Sequence, residues 1–485
     1  MSETRTFKQA LFFSFLSLLL ALSGILLLTN TSFIEFLFST AESITSKQLN
    51  RSFWIHGIHC AAIDLIILSI ISAIYFYKPA LISKKMVFAA SLALAIHFYY
   101  EVSINAVNMP LSDDFESAMV FLNNCYSTND SSQMISLIGS QYYETRLVIL
   151  RSACLLYTMI AGEINFKILV TLASLLIAGI AYLLMRSAKI KGEIRFLFYT
   201  VIILLLFQFQ YHSGIFFLTA GMPKFCTLFF SIAAFYFIST DNTKGFILAL
   251  FCTLLAALSF GNGMICFFIC LVVLLYKKRY LHSAIWSLTA LGFLLWYFYD
   301  YTMMLSEPIS LSSISRSFLY GLIFLGNSMQ FFYTLTIPMI AGILIWCAAI
   351  LFTVKKYYKE NPAIYCVLIF IILSSLIAAP FRLNESDGLT RALMTHYGIY
   401  SIVAICCCLI GLVEIYASEK NISTTIKGLL IASVAYHLGS GLMFFPEVNE
   451  RNKNLTECIY PWLKNDPSAA APSCANITAN PGNAG

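Results

Sequence analysis

GMICFFICLVVLLYKKRYLHSAIWSLTALGFLLWYFYD, residues 263–300, is two apolar runs hinged on the basic triplet Lys277, Lys278 and Arg279. Neither run, 263–276 or 283–300, carries a charge before Asp300. Uncharged apolar runs of this kind read as membrane-crossing helices, and cations clustered between two of them mark a cytoplasmic loop. The same pattern recurs along the chain. Lys84 and Lys85 with Lys78, then Arg186, Lys189, Lys191 and Arg195, then Lys355, Lys356 and Lys359 make further basic loops. Arg5 and Lys8 place the N-terminus on the same side.

Threading helices between these anchors predicts about thirteen spans, near 9–28, 58–77, 86–106, 166–185, 196–211, 224–239, 245–260, 263–276, 283–300, 334–353, 362–380, 394–416 and 428–445. Two further apolar stretches, 147–162 and 317–332, are expected as short helices at the outer interface. The run from Leu11 to Leu28 is long for a signal peptide and lacks a small-x-small cleavage site, so it reads as a retained first helix. The expected fold class is thus an all-α, polytopic integral membrane protein. Residues 1–445 form the membrane domain and 446–485 a polar tail on the outer side.

Composition supports this reading. The 485-residue chain is 59% hydrophobic and 11% charged, against roughly 25% charged in soluble domains. No large soluble domain can be built from what remains. The net charge of +6 sits mostly in short loops and reports topology, so it implies no nucleic-acid partner. Most of the 14 cysteines lie in apolar runs and behave as small hydrophobes. Cys458 and Cys474 lie in the polar tail and, outside the cytoplasm, can close a short disulfide loop.

On this topology the outer face collects the chemistry-bearing residues. MPLSDDFES, 109–117, puts the adjacent carboxylates Asp113 and Asp114 just past a span, with Glu116 two residues on. Burial and mutual repulsion raise the proton affinity of one such acid, which suits a general base. A helix cap explains one of the two acids but not the pair. QYYETRLVILR, 141–151, supplies Glu144, Arg146 and Arg151. Guanidinium forks fit phosphate oxygens at headgroup level, although arginines also snorkel there as plain anchors. QFQYHSGIFFLTAGMPK, 208–224, adds Gln210, His212 and Lys224 in a half-polar loop, with no second histidine at metal spacing. Asn262 of SFGNG, 259–263, offers an amide in a glycine turn. PFRLNESDGLTRALMTHY, 380–397, contributes Arg382, Glu385, Asp387, Arg391 and His396. No nucleotide-binding loop, zinc-protease or serine-hydrolase motif is present.

MPLSDDFES, YYETRLVILR and the following GEINFKILV resemble a bacterial subgroup of the polytopic GT-C glycosyltransferases, and SFGNG and TRALMTHYGIY resemble its later landmarks. Size and topology are similar to serotype-converting O-antigen glucosyltransferases. Tyr143-Glu144-Thr145-Arg146 departs from the subgroup's more usual Asn-Glu-His-Arg, which removes a proton-transfer histidine there. The resemblance implies a sugar, glucose in that subgroup, carried on undecaprenyl phosphate, flipped across a bacterial inner membrane by a partner and moved to a lipopolysaccharide glycan. It implies Asp114 or Asp113 as base, with Arg146, Arg151, Lys224 or Arg391 holding the leaving phosphate. Glu116, Glu144, Gln210, His212, Asn262 and Arg382 complete the expected substrate-binding set. No metal or other cofactor is expected.

The main rival is a transporter or flippase of a lipid-linked or anionic solute, which favours charged residues at membrane depth. Asp64 and Glu101 are the residues that the enzyme reading leaves unplaced. His56 and His59, preceding Asp64, leave a membrane acyltransferase as a third reading.

Overall fold

The computed structural model describes residues 17–45, 51–77, 84–303, 311–331, 334–383, 388–416 and 422–463. They are all-helical, and the only extended pairing among them is an isolated bridge between Tyr142 and Thr145. Eight helices are long and apolar enough to cross a membrane, or nine if the pair Ser17–Thr29 and Thr31–Ser39, bent by 93°, is one span. Shorter apolar helices of 10–17 residues include Val148–Ala161, Ile194–Leu206 and Thr243–Ser259. At 1.5 Å per residue these fall short of the roughly 30 Å hydrocarbon core unless flanking turns extend them. The basic loops therefore locate the ends of the runs better than they count the crossings.

The opening stretch folds as its pattern requires. Ile265–Tyr276 and Tyr280–Phe298 are helices joined at Lys277–Arg279, where Lys278 sits at a φ of 55°. Leu281, Leu288 and Leu295, seven residues apart, are 66–72% exposed, while Trp286, Phe293 and Tyr297 on another face are buried. An exposed leucine stripe on a helix without charges is a lipid-facing stripe. The buried indole finds its required partner, donating to the Phe267 carbonyl at 2.9 Å.

The chain divides into two compact units. One comprises 1–105, 190–212 and 416–479, and packs the helices Arg51–Tyr77, Lys84–Asn105, Ile194–Leu206 and Ile422–Lys453 against one another. Its last helix continues past Phe445 through Pro446 to Lys453 and runs on as the π-helix Asn454–Ile459. Arg451 donates to the Asn105 carbonyl at 3.2 Å, which ends the Lys84–Asn105 helix. Cys458 is disulfide-bonded; Cys474 lies outside the described residues.

The other unit comprises 106–189, 213–415 and 480–485. Its core is the helix Leu218–Ile238, apolar on nearly every side, which packs on Thr243–Ser259, Phe166–Ser174, Leu176–Ser187 and Pro362–Ala378. The helix start is seated by glycine. A side chain at Gly221 would collide with the backbone of Gly214. The stretches expected at 147–162 and 317–332 form the helices Val148–Ala161 and Leu311–Leu325. The second packs on Thr336–Val354 and Pro362–Ala378 and buries Tyr320, Phe324 and Leu325.

Candidate functional site

The acid pair splits. In the turn Leu111–Asp114, Ser112 takes a φ of 38°, which points the two carboxyl groups to different surroundings. Asp114 is buried, 1% exposed. Its Oδ1 accepts from the Thr219 amide at 2.8 Å and the Thr219 hydroxyl at 2.6 Å, and its Oδ2 accepts from the Leu111 amide at 3.1 Å. Thr219 lies in the first turn of Leu218–Ile238, so Asp114 caps that helix from a distant loop. Burial pushes its carboxyl up to about 7 against the pull of these donors. Asp113 is exposed. Its carboxylate is one of the charges that face Lys224, and its carbonyl accepts from the Tyr142 hydroxyl at 3.5 Å.

The arginines of the ETR element are occupied by backbone. Arg146 is buried, donates through Nε to the Tyr297 carbonyl at 2.9 Å, also reaches the Gly139 carbonyl and Asp300, and stacks on Trp296 and Tyr297. Arg151 donates to the carbonyls of Leu137 at 3.0 Å and Ser140 at 2.7 Å. Together they add donors to the carbonyls at the end of the helix Ser131–Gly139. Arg146 is thereby fully engaged, whereas the Nε of Arg151 is left without a hydrogen-bond partner among the described residues.

Between them, Tyr142 and Thr145 exchange backbone hydrogen bonds at 2.7 and 3.0 Å across a turn in which Tyr143 has a φ of 46°. The turn aims Glu144 into a cavity of about 200 Å³. Thr145 Oγ1 accepts from the Gly261 amide at 2.9 Å, so the ETR element and SFGNG, far apart in sequence, meet at one wall. Aromatic rings dominate the rest of the lining, notably Phe260, Tyr297, Tyr301, Phe324, Tyr397 and Tyr400. Asn262 donates to Ser374 Oγ at 3.0 Å and Tyr400 Oη at 3.1 Å, and its buried Oδ1 has no hydrogen-bond partner.

Two cations line the same cavity. Arg382 pairs with Glu144. Lys224 is buried, donates to the Ala220 carbonyl at 2.9 Å and lies 5.2 Å above the Phe260 ring and 5.6 Å above Tyr397. Among the described residues no carboxylate pairs with it. A buried ammonium with one neutral acceptor and two ring faces is under-compensated, and an anion in the cavity would complete it.

A second cavity, about 380 Å³, is more polar, with Glu116, Asn124, Gln141, Tyr142, Tyr143 and Arg151 in its lining.

Asp113, Asp114 and Arg146 line neither cavity, and three further expected residues lie elsewhere. Gln210 and His212 belong to the other unit. There Gln210 accepts from the Tyr436 hydroxyl, and His212 faces Glu447 at 3.3 Å. Burial, then the Arg451 charge, pushes the His212 imidazole down to about 3, so it meets Glu447 as a neutral ring. Arg391 sits half-buried in the turn Gly388–Leu393 and does not line either cavity. Glu385 and Asp387 lie outside the described residues. Thr219, Tyr301 and Tyr400 were not singled out in the sequence, because a hydroxyl among apolar residues carries no signal of what it will face. No family model, curated protein or solved structure matches this chain.

Proposed function

We propose that this chain is an inverting GT-C-type glycosyltransferase that moves a hexose, glucose by the resemblance, from polyprenyl phosphate to a glycan hydroxyl. The observation that carries the reading is Lys224, a buried cation without a carboxylate partner among the described residues, at an aromatic-lined cavity shared with Arg382. Rings and aliphatic walls suit the first isoprenoid carbons, and the two cations suit the phosphate. In the transfer the acceptor oxygen bonds to the anomeric carbon while the bond from that carbon to the phosphate oxygen breaks. The proton of the acceptor passes to Asp113, and the electron pair leaves on the phosphate beside Lys224 and Arg382. Accessibility favours Asp113 as the base, with Asp114 holding the loop that carries it. The second cavity, with Tyr142 and Tyr143 beside Glu116 and Asn124, suits a carbohydrate acceptor.

The same reading places the site on the outer face of a bacterial inner membrane, with a flippase and a donor synthase as partners and lipopolysaccharide O-antigen as the acceptor. Purified protein given a polyprenyl-phosphate hexose and an oligosaccharide acceptor should release polyprenyl phosphate, and Asp113→Asn should abolish the release. A second reading, transport of a lipid-linked or anionic solute, draws on Asp64 and Glu101 inside apolar helices. Uptake into proteoliposomes without a covalent product would favour it.

A further inference from the structure

Asp64 and Glu101 belong to a buried cluster built from repeated four-residue spacings. The helix Arg51–Tyr77 presents His56, Cys60 and Asp64 along one face, and Lys84–Asn105 presents His97, Glu101 and Asn105 along a face packed against it. Ile422–Lys453 adds His437. The imidazole and carboxylate groups form an unbroken chain. His56 Nε2 lies 3.2 Å from Glu101 Oε2, and Glu101 Oε1 lies 3.4 Å from His97 Nε2. His97 Nδ1 lies 2.8 Å from Asp64 Oδ1, Asp64 Oδ2 lies 3.2 Å from His437 Nε2, and His437 Nδ1 lies 3.1 Å from the Leu204 carbonyl.

We propose that His56, Cys60 and Glu101, with His97 as a fourth donor, bind a divalent transition-metal ion, zinc by the nature of the donor set. The donor atoms of His56, Cys60 and Glu101 all lie within 4.8 Å of one another. Imidazole, thiolate and carboxylate together are a zinc donor set, and four such groups make a tetrahedral site.

His97 stands beside these three donors, its Nε2 3.4 Å from Glu101 Oε1. Its other nitrogen, Nδ1, lies 2.8 Å from Asp64 Oδ1, which is the carboxylate–histidine–metal arrangement that orients a ligating ring.

The site is independent of the glycosyltransferase reading, since every residue in it lies in the other unit.

The full-length protein in detergent, stripped with chelator and repleted with zinc chloride, should retain one zinc per chain by mass spectrometry. Cobalt(II) in its place should give a thiolate-to-cobalt charge-transfer band in the near ultraviolet. Cys60→Ser should remove that band. Asp64→Asn should keep it while weakening affinity roughly 10–100-fold, as loss of an orienting carboxylate does. Folded wild type that retains no zinc overturns the proposal and leaves the chain as a proton relay or a structural network. An unchanged cobalt band in Cys60→Ser also overturns it, because one of the other 13 cysteines would then be the ligand.

Discussion

Replacing Lys224 with methionine separates a lysine that holds the fold from one that holds a ligand. The ammonium gives up one hydrogen bond, to the Ala220 carbonyl, and two ring contacts. A hydrogen bond from a charged donor contributes about 1.5–3 kcal/mol, and each ring contact about 0.5–1 kcal/mol. Against this stands the desolvation of a buried ammonium, several kcal/mol when no carboxylate compensates it. The opposing terms nearly cancel, and methionine fills the same length of cavity, so the unfolding temperature should stay level or rise. Donor binding should move the other way. Removing one partner of a buried charge contact costs about 2–5 kcal/mol, roughly 30- to 4,000-fold in affinity. Thermal unfolding in detergent, read beside the KM for a polyprenyl-phosphate hexose, gives both numbers from one preparation. A variant that loses stability and keeps the wild-type KM refutes the role assigned to Lys224.

Asp113→Asn should fold as wild type and lose activity by at least about 100-fold, the usual contribution of a general base. Asp114→Asn should instead lower stability by about 1–3 kcal/mol, because the Leu111 amide loses its acceptor, with residual activity following the folded fraction. Asp114 also fixes a pH dependence. Its folded value, about 7, stands above the ordinary value of 3.8, so the protonated form is the one that folding favours. Its contribution is complete below about 4 and is lost as pH rises through 7. Melting temperature followed from pH 5 to pH 8 should fall in wild type and fall less in Asp114→Asn. Arg146→Lys should destabilise by about 2–3 kcal/mol through lost caps and ring stacking, with donor KM unchanged. Asn262→Asp places a negative charge where the phosphate would lie, and should raise donor KM by about 1–3 kcal/mol, roughly 5–150-fold.

The helices were legible because lipid imposes a simple code. Uncharged runs between Lys277–Arg279 and its counterparts became helices where expected, and the leucine stripe of Tyr280–Phe298 marks the lipid side. Helix length and composition mark eight or nine crossings among the described residues, whereas the basic loops that suggest thirteen carry no information on helix length. The acid pair was correctly seen as unusual, yet its division of labour depends on the φ of Ser112 and on Thr219, about a hundred residues away. Arg146 has the residue type of a phosphate clamp, but the carbonyls of Gly139 and Tyr297 and the carboxylate of Asp300 take its donors. Gln210 and His212 share a sequence segment with Lys224 and part from it at the unit boundary. Asp64, Glu101 and His56 stood out one by one, but the cluster they make with Cys60, His97 and His437 gains meaning only when three helices meet.

The enzyme reading stands on one chemical event, cleavage of the sugar-phosphate bond. Purified wild type, incubated with a radiolabelled polyprenyl-phosphate hexose and an oligosaccharide acceptor, should transfer label to the acceptor and release polyprenyl phosphate in equal amount. Asp113→Asn, folded, should do neither at a measurable rate, and Lys224→Met, folded, should do both only at a raised donor concentration. Intact donor in the presence of folded wild type and a range of hexose donors and glycan acceptors, or undiminished transfer by Asp113→Asn, contradicts the account.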